Sequence, residues 1–205
     1  MVEIKNELEG IFKEITKELD SMDQIREKLF AIQRSAVRKS SEIIKKVHRK
    51  EFTNIDKDLD EIRQVIKEFD SIIDELPLDL PKDYELIVKQ EYGEAILFYH
   101  LIVNQKLMDP LSIGLNSYQY CYAIADVVGE LRRFCLSCLI ENELDKALEI
   151  FGWMEEIYNI LFSLDYPSGL LPGLRKKIDT ARNSLNNTQS EISLIMNLKR
   201  YGVKQ

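Results

Sequence analysis

Gln90-Glu91-Tyr92-Gly93-Glu94-Ala95 sets two carboxylates three residues apart inside a run rich in Leu, Ile, Val, Tyr and Phe. Residues three or four apart share one face of a helix, so Glu91 and Glu94 point the same way. Further along, Ala125-Asp126-Val127-Val128-Gly129-Glu130-Leu131-Arg132-Arg133 does the same with Asp126 and Glu130. If the two helices are neighbours, four acidic groups converge beside a core-facing surface. Buried negative charges repel and lose hydration, so such a cluster calls for a cation or for shared protons. An all-oxygen set suits Mg²⁺, or Mn²⁺, better than zinc. Two plainer readings stand beside this one. Acidic residues number 35 in the chain, so these could be solvated carboxylates on amphipathic helices. A di-iron bundle is the other, but it typically carries Glu-x-x-His on two helices, and neither His48 nor His100 stands three residues after a glutamate.

Outward from these two segments the whole chain reads as helix. Ile4, Leu8, Ile11, Phe12, Ile15 and Leu19 recur at helical spacing, and Ser21-Met22-Asp23 offers a cap before a second, longer helix. A third is predicted from Thr53 or Asn54, ending at Pro77 and Pro81. The fourth covers roughly 83–107 and carries Glu91 and Glu94; the fifth covers roughly 117–140 and carries Asp126 and Glu130. A sixth spans Glu143 to Phe162, and after Pro167 and Pro172 a last helix shows Leu174, Ile178, Ala181, Leu185, Thr188, Ile192 and Ile195. That alternation of four and three suits packing on another long helix, in the same or another subunit. With 205 residues, few Gly and Pro, and no repeat or linker, the expectation is one all-α domain, 1–205, of about seven helices. No apolar run is long enough for a bilayer and the charged N-terminus has no signal-peptide core, so a soluble, cytoplasmic protein without a membrane partner is expected. Cys121, Cys135 and Cys138 fit a reducing compartment, and Cys135-Leu136-Ser137-Cys138 reads as buried thiols rather than zinc ligands.

A net charge of −7 argues at first against nucleic acid. The distribution of that charge argues the other way. Residues 26–50 hold nine basic side chains against two acidic ones, so this segment is +7 and the rest of the chain −14. On the second helix Ile25, Leu29, Ile32, Ala36, Ile43 and Val47 form an apolar stripe, and Arg34, Arg38, Lys45 and Arg49 fall opposite. Any one of these residues reads first as part of an ordinary solvated face, but a basic face so poor in acids reads as a phosphate-binding surface, with Arg26 at its start.

Asp23-x-x-Arg26-Glu27-Lys28-Leu29, the basic helix ending in Val47-His48-Arg49, and Leu174-Arg175-Lys176-Lys177 resemble the translin family. Gln90-Glu91-Tyr92-x-Glu94-Ala95 and Ala125-Asp126-x-x-Gly129-Glu130-Leu131-x-Arg133-x-Cys135 are similar to its TRAX (translin-associated factor X) branch. The resemblance implies a translin-like helical bundle and a Mg²⁺-dependent endoribonuclease, a hydrolase acting on single-stranded RNA inside an oligomeric shell, typically an octamer. It matches Glu91, Glu94 and Asp126 to catalytic, metal-binding carboxylates and Glu130 to an acidic neighbour. It implies a homo-oligomer, with a translin-like second subunit as the alternative. Gly93 replaces a larger residue of the TRAX pattern, which is expected to loosen that helix by about 1 kcal/mol. The connection at 108–116 is shorter than in animal TRAX. The competing function is a non-catalytic, translin-like scaffold that binds single-stranded RNA or DNA; it has no reason to gather a full carboxylate set.

Overall fold

The chain opens with a single helix, α1 (Val2–His48), of 47 residues and therefore about 70 Å long at 1.5 Å per residue. The break expected at Ser21-Met22-Asp23 does not occur. Those residues keep their backbone N–H groups, and no proline interrupts the i→i−4 ladder, so a potential cap is passed over. The first two predicted helices are thus one. The computed structural model describes residues 2–74, 83–167, 169–200 and 202. Among these stand six α-helices and one single-turn 3₁₀ helix, with no strand, so the all-α expectation holds.

The second half of α1 buries Leu29, Ile32, Ala36, Ile43 and Val47, whereas Ile4 to Leu19 lie exposed beyond the body of the fold. Helix α2 (Ile55–Asp74) folds back along it, burying Ile55, Leu59, Ile62, Ile66 and Phe69. Lys39 donates to Glu61 at 2.5 Å and Lys46 to Asp58, in reversed order along the two helices, as an antiparallel pair requires. Pro77 and Pro81 lie outside the described residues.

Helices α3 (Asp83–Asn104) and α4 (Ser117–Ile140) form the centre. Their contacts advance together: Gln119 Nε2 to Glu85 at 2.7 Å, Gln90 to Asp126 at 2.5 Å, and Phe98 against Phe134 edge-on at 6.2 Å. The two helices therefore run in the same direction. The connection between them must return along α3, and it does so through the 3₁₀ turn Leu111–Ile113 and Gly114, whose φ of 69° suits a residue without a Cβ. Lys89, only 4% exposed, pins this return by donating to Gly114 O at 3.2 Å and to Asp70 of α2 at 2.7 Å. Asn116 then starts α4 with a reciprocal cap, its side chain accepting from Gln119 N while Gln119 Oε1 accepts from Asn116 N.

Gly93 sits where α3, α4 and the returning connection meet. A Cβ there would lie 2.7 Å from both Ala123 Cβ and Leu115 Cδ1. Its role is close approach, a role the sequence did not announce beside the expected cost in helix propensity.

Helices α5 (Leu144–Phe162) and α6 (Leu174–Arg200) close the other side of α4. The α6 seam Leu174, Ile178, Ala181, Leu185, Thr188 and Ile192 is buried within this one chain, and Arg132 of α4 grips Glu191 with two hydrogen bonds at 3.2 and 3.0 Å. The heptad-like spacing thus serves intrachain packing. Cys135 and Cys138 are buried too, and Cys135 donates to Ala147 O at 3.3 Å. No helix among the described residues is long and apolar enough to cross a membrane.

Candidate functional site

Parallel α3 and α4 are offset so that residue 90 faces 126 and residue 98 faces 134. On that offset Glu94 falls opposite Glu130, and all four predicted carboxylates enter one electrostatic neighbourhood. Burial is the main force raising the Glu94 pKa from 4.5 to about 8, followed by the charges of Asp126, Glu91 and Glu130, with Lys177 opposing. Burial also raises Glu91, Asp126 adding to it and Lys177 again opposing. Glu94 is thus a neutral acid at neutral pH, held so by desolvation and three neighbouring carboxylates.

Two of the four acids already have partners. Asp126 accepts from Gln90 Nε2 at 2.5 Å on one oxygen and from Lys177 Nζ at 2.6 Å on the other. Glu130 Oε2 lies 2.5 Å from His48 Nε2 at the end of α1, and 3.8 Å from Arg133. Among the described residues no three His, Cys, Asp or Glu side chains are grouped closely enough to make a ready-formed metal cage. The acids are gathered, but Lys177 and His48 stand among them.

Gln90, Lys177 and His48 were not singled out as site residues from sequence. Gln90 precedes Glu94 by one helical turn and so shares its face. Lys177 ends the Leu174-Arg175-Lys176-Lys177 motif, and His48 ends the basic helix. Those signals exist, but only the packing of α1 and α6 around α3 and α4 turns them into carboxylate partners.

The basic residues of α1 and of the turn just after it sort cleanly. Lys39, Lys46 and Lys50 pair with Glu61, Asp58 and Glu141 of the same chain. Arg34, Arg38, Lys45 and Arg49 are exposed and face the other way, with no ion pair among the described residues. From Arg34 to Arg49 they span sixteen residues, roughly 22 Å along α1 and into the turn that follows it. Arg26, also exposed, pairs with Asp23 at 3.3 Å and lies over the Phe30 ring. Lys45 is one turn before His48, so the basic face ends beside the residue that holds Glu130.

The family profile described as translin family matches residues 4–190. An uncharacterized protein of Methanocaldococcus jannaschii is 30% identical over 186 residues, covering 88% of this chain and 81% of the relative. Among solved structures, AfC3PO superposes with a TM-score of 0.77 at 27% identity, across 90% of this chain and 96% of that one. The complex of AfC3PO with duplex RNA gives 0.77 at 25% identity over the same shares. Apo-NeC3PO reaches 0.81 at 20% identity, again covering 90% and 96%, and bears on the fold alone.

Proposed function

The chain belongs to the translin family, and from that premise we propose that it is a TRAX-type, divalent-metal-dependent endoribonuclease acting on single-stranded RNA. One observation carries the reading: Glu91, Glu94, Asp126 and Glu130 share one partly buried neighbourhood in which Glu94 is driven to about 8. A scaffold that only binds nucleic acid gains nothing from that unfavourable clustering.

The donor set fits Mg²⁺ or Mn²⁺. It is all oxygen, and a cation would relieve the repulsion that keeps Glu94 protonated. Glu91, Glu94 and Asp126 would hold the ion, with Glu130 as a further ligand or outer support. When bound, such an ion supplies a water of lowered pKa and offsets charge on the attacked phosphate. Gln90 orients Asp126 through one oxygen, and His48 orients Glu130. Arg34, Arg38, Lys45 and Arg49, with Arg26 before them, bind RNA phosphates without reading sequence.

Assembly into a closed homo-oligomeric shell, an octamer in the TRAX manner, is part of the proposal. Its support is the unburied apolar stripe of the α1 arm; a translin-like second subunit would cover the same stripe. The duplex RNA bound by AfC3PO keeps binding and cutting separate here: single strands are proposed for cleavage, because a stiff duplex reaches an enclosed site only if held whole.

The test is whether purified protein cuts single-stranded RNA with Mg²⁺ and stops with EDTA. Glu91→Ala, Glu94→Ala and Asp126→Ala are each expected to lower cleavage at least about a hundredfold, since such charge stabilisation is worth several kcal/mol. RNA affinity and helicity are expected to persist. Retained cutting in both Glu91→Ala and Asp126→Ala would overturn the assignment, and binding with no cutting under any divalent ion would favour the scaffold.

A further inference from the structure

Asp126 divides two surfaces. On one side lie Glu91, Glu94 and Glu130; on the other a groove of about 490 Å³ opens between α3, α4 and α6. Its lining mixes apolar residues, among them Leu86, Tyr122 and Ala181, with the polar and cationic Gln90, Lys176 and Lys177. The volume falls within the roughly 300–1,000 Å³ usual for sites that take a small organic molecule.

The charge of this groove is unlike that of the chain around it. Its one acidic lining residue, Asp126, is covered by the Lys177 ammonium at 2.6 Å. Lys176 is exposed and makes no ion pair among the described residues. Cationic groups beside apolar lining, in a protein of net charge −7, match a molecule with an anionic end and a flat apolar body. Inorganic phosphate would use only the lysines and leave the apolar lining without a partner.

We propose that this groove is a nucleotide subsite, seating one nucleotide beside the attacked phosphate, its base on Leu86, Tyr122 and Ala181 and its phosphate on Lys176 and Lys177. The inference rests on the ribonuclease reading for its place along the RNA, but not for its chemistry. Lys177 has two stations: the Asp126 carboxylate when the groove is empty, and a shared position between Asp126 and the phosphate when it is filled. The ring of Tyr122, 6.0 Å from the ammonium, backs that position. The α1 basic face ends beside His48, which holds Glu130, and Asp126 of the groove lies one turn before Glu130 on α4, so binding would have anchors on both sides of the carboxylates.

The test is binding of adenosine 5′-monophosphate to the assembled protein in EDTA, by calorimetry, with inorganic phosphate as the second probe. The expected result is saturable binding of the nucleotide at least about tenfold tighter than phosphate. Lys176→Glu reverses an exposed lining charge and Ser184→Trp fills the groove; each is expected to weaken the nucleotide at least about tenfold with helicity and oligomeric mass unchanged. Nucleotide no tighter than phosphate, or full affinity in folded Lys176→Glu, would overturn the subsite. If the wild type binds the nucleotide through Lys176 yet cuts RNA in no divalent ion, the ribonuclease reading fails and the subsite stands. Cutting without nucleotide binding sinks the subsite and leaves the ribonuclease reading intact.

Discussion

Glu94 is the residue where burial and charge act most strongly together. In the unfolded chain it titrates near 4.5, and in the fold near 8, so between those values the folded protein holds a proton that the unfolded chain has lost. Stability must then fall as pH rises through that window, by about 1.4 kcal/mol for each unit of displacement, a few kcal/mol in all. In EDTA, the wild-type unfolding midpoint is expected to decline from about pH 5 to about pH 8.5 more steeply than that of Glu94→Gln, which carries no proton to lose. Superimposable pH profiles would remove the claim. Added Mg²⁺ is expected to stabilise the wild type more at the alkaline end, where the carboxylates are free to bind it.

At the scale of elements, the seam between α3 and α4 sets which acids meet, and Gly93 sets how close the seam can be. Gly93→Ala would improve helix propensity by about 1 kcal/mol. Its methyl, however, would sit 2.7 Å from both Ala123 Cβ and Leu115 Cδ1, and overpacking of that kind costs about 1–3 kcal/mol. The expected balance is a net loss on the order of 1 kcal/mol in urea unfolding. Adding Ala123→Gly relieves one of the two contacts and is expected to recover part of it. A Gly93→Ala protein more stable than wild type would show that the seam is not closed by this contact.

At the scale of the whole molecule, the α1 arm leaves Ile4, Leu8, Ile11, Phe12, Ile15 and Leu19 between 40% and 63% exposed. So long an apolar stripe calls for cover, and in the proposed shell another subunit supplies it. Leu8→Asp with Phe12→Asp is expected to lower the oligomeric mass in light scattering while leaving the rest of the fold intact; an unchanged mass would place the interface elsewhere. The basic face makes a separate claim. Reversing Arg34 and Arg38 to Glu is expected to weaken RNA of every sequence alike and to flatten the log–log salt slope by about 1.4, at roughly 0.7 per phosphate contact for single strands. Unchanged affinity in an assembled double variant would move the RNA surface off α1.

Helical periodicity and the scarcity of Gly and Pro were enough to read an all-α chain, the apolar face of each helix and the basic face of α1, because those are properties of short windows; that the stripe from Ile4 to Leu19 is not core was not among them. The four carboxylates were legible for the same reason: each pair lies within one turn of its own helix. What sequence could not supply was anything depending on how helices are laid against one another. The fusion of the first two helices into α1 turns on a cap signal that the backbone ladder overrides. The covering of the α6 seam inside this chain turns on α4 and α5 being within reach. Parallel α3 and α4 require a connection that doubles back over Gly93 and is pinned by Lys89, and no local pattern announces that return. From that offset alone follow the meeting of Gln90 with Asp126 and of Glu94 with Glu130. The arrival of Lys177 and His48 on those acids depends on α6 and α1 closing over them, since contacts between residues so far apart in the chain are created by packing and not by spacing.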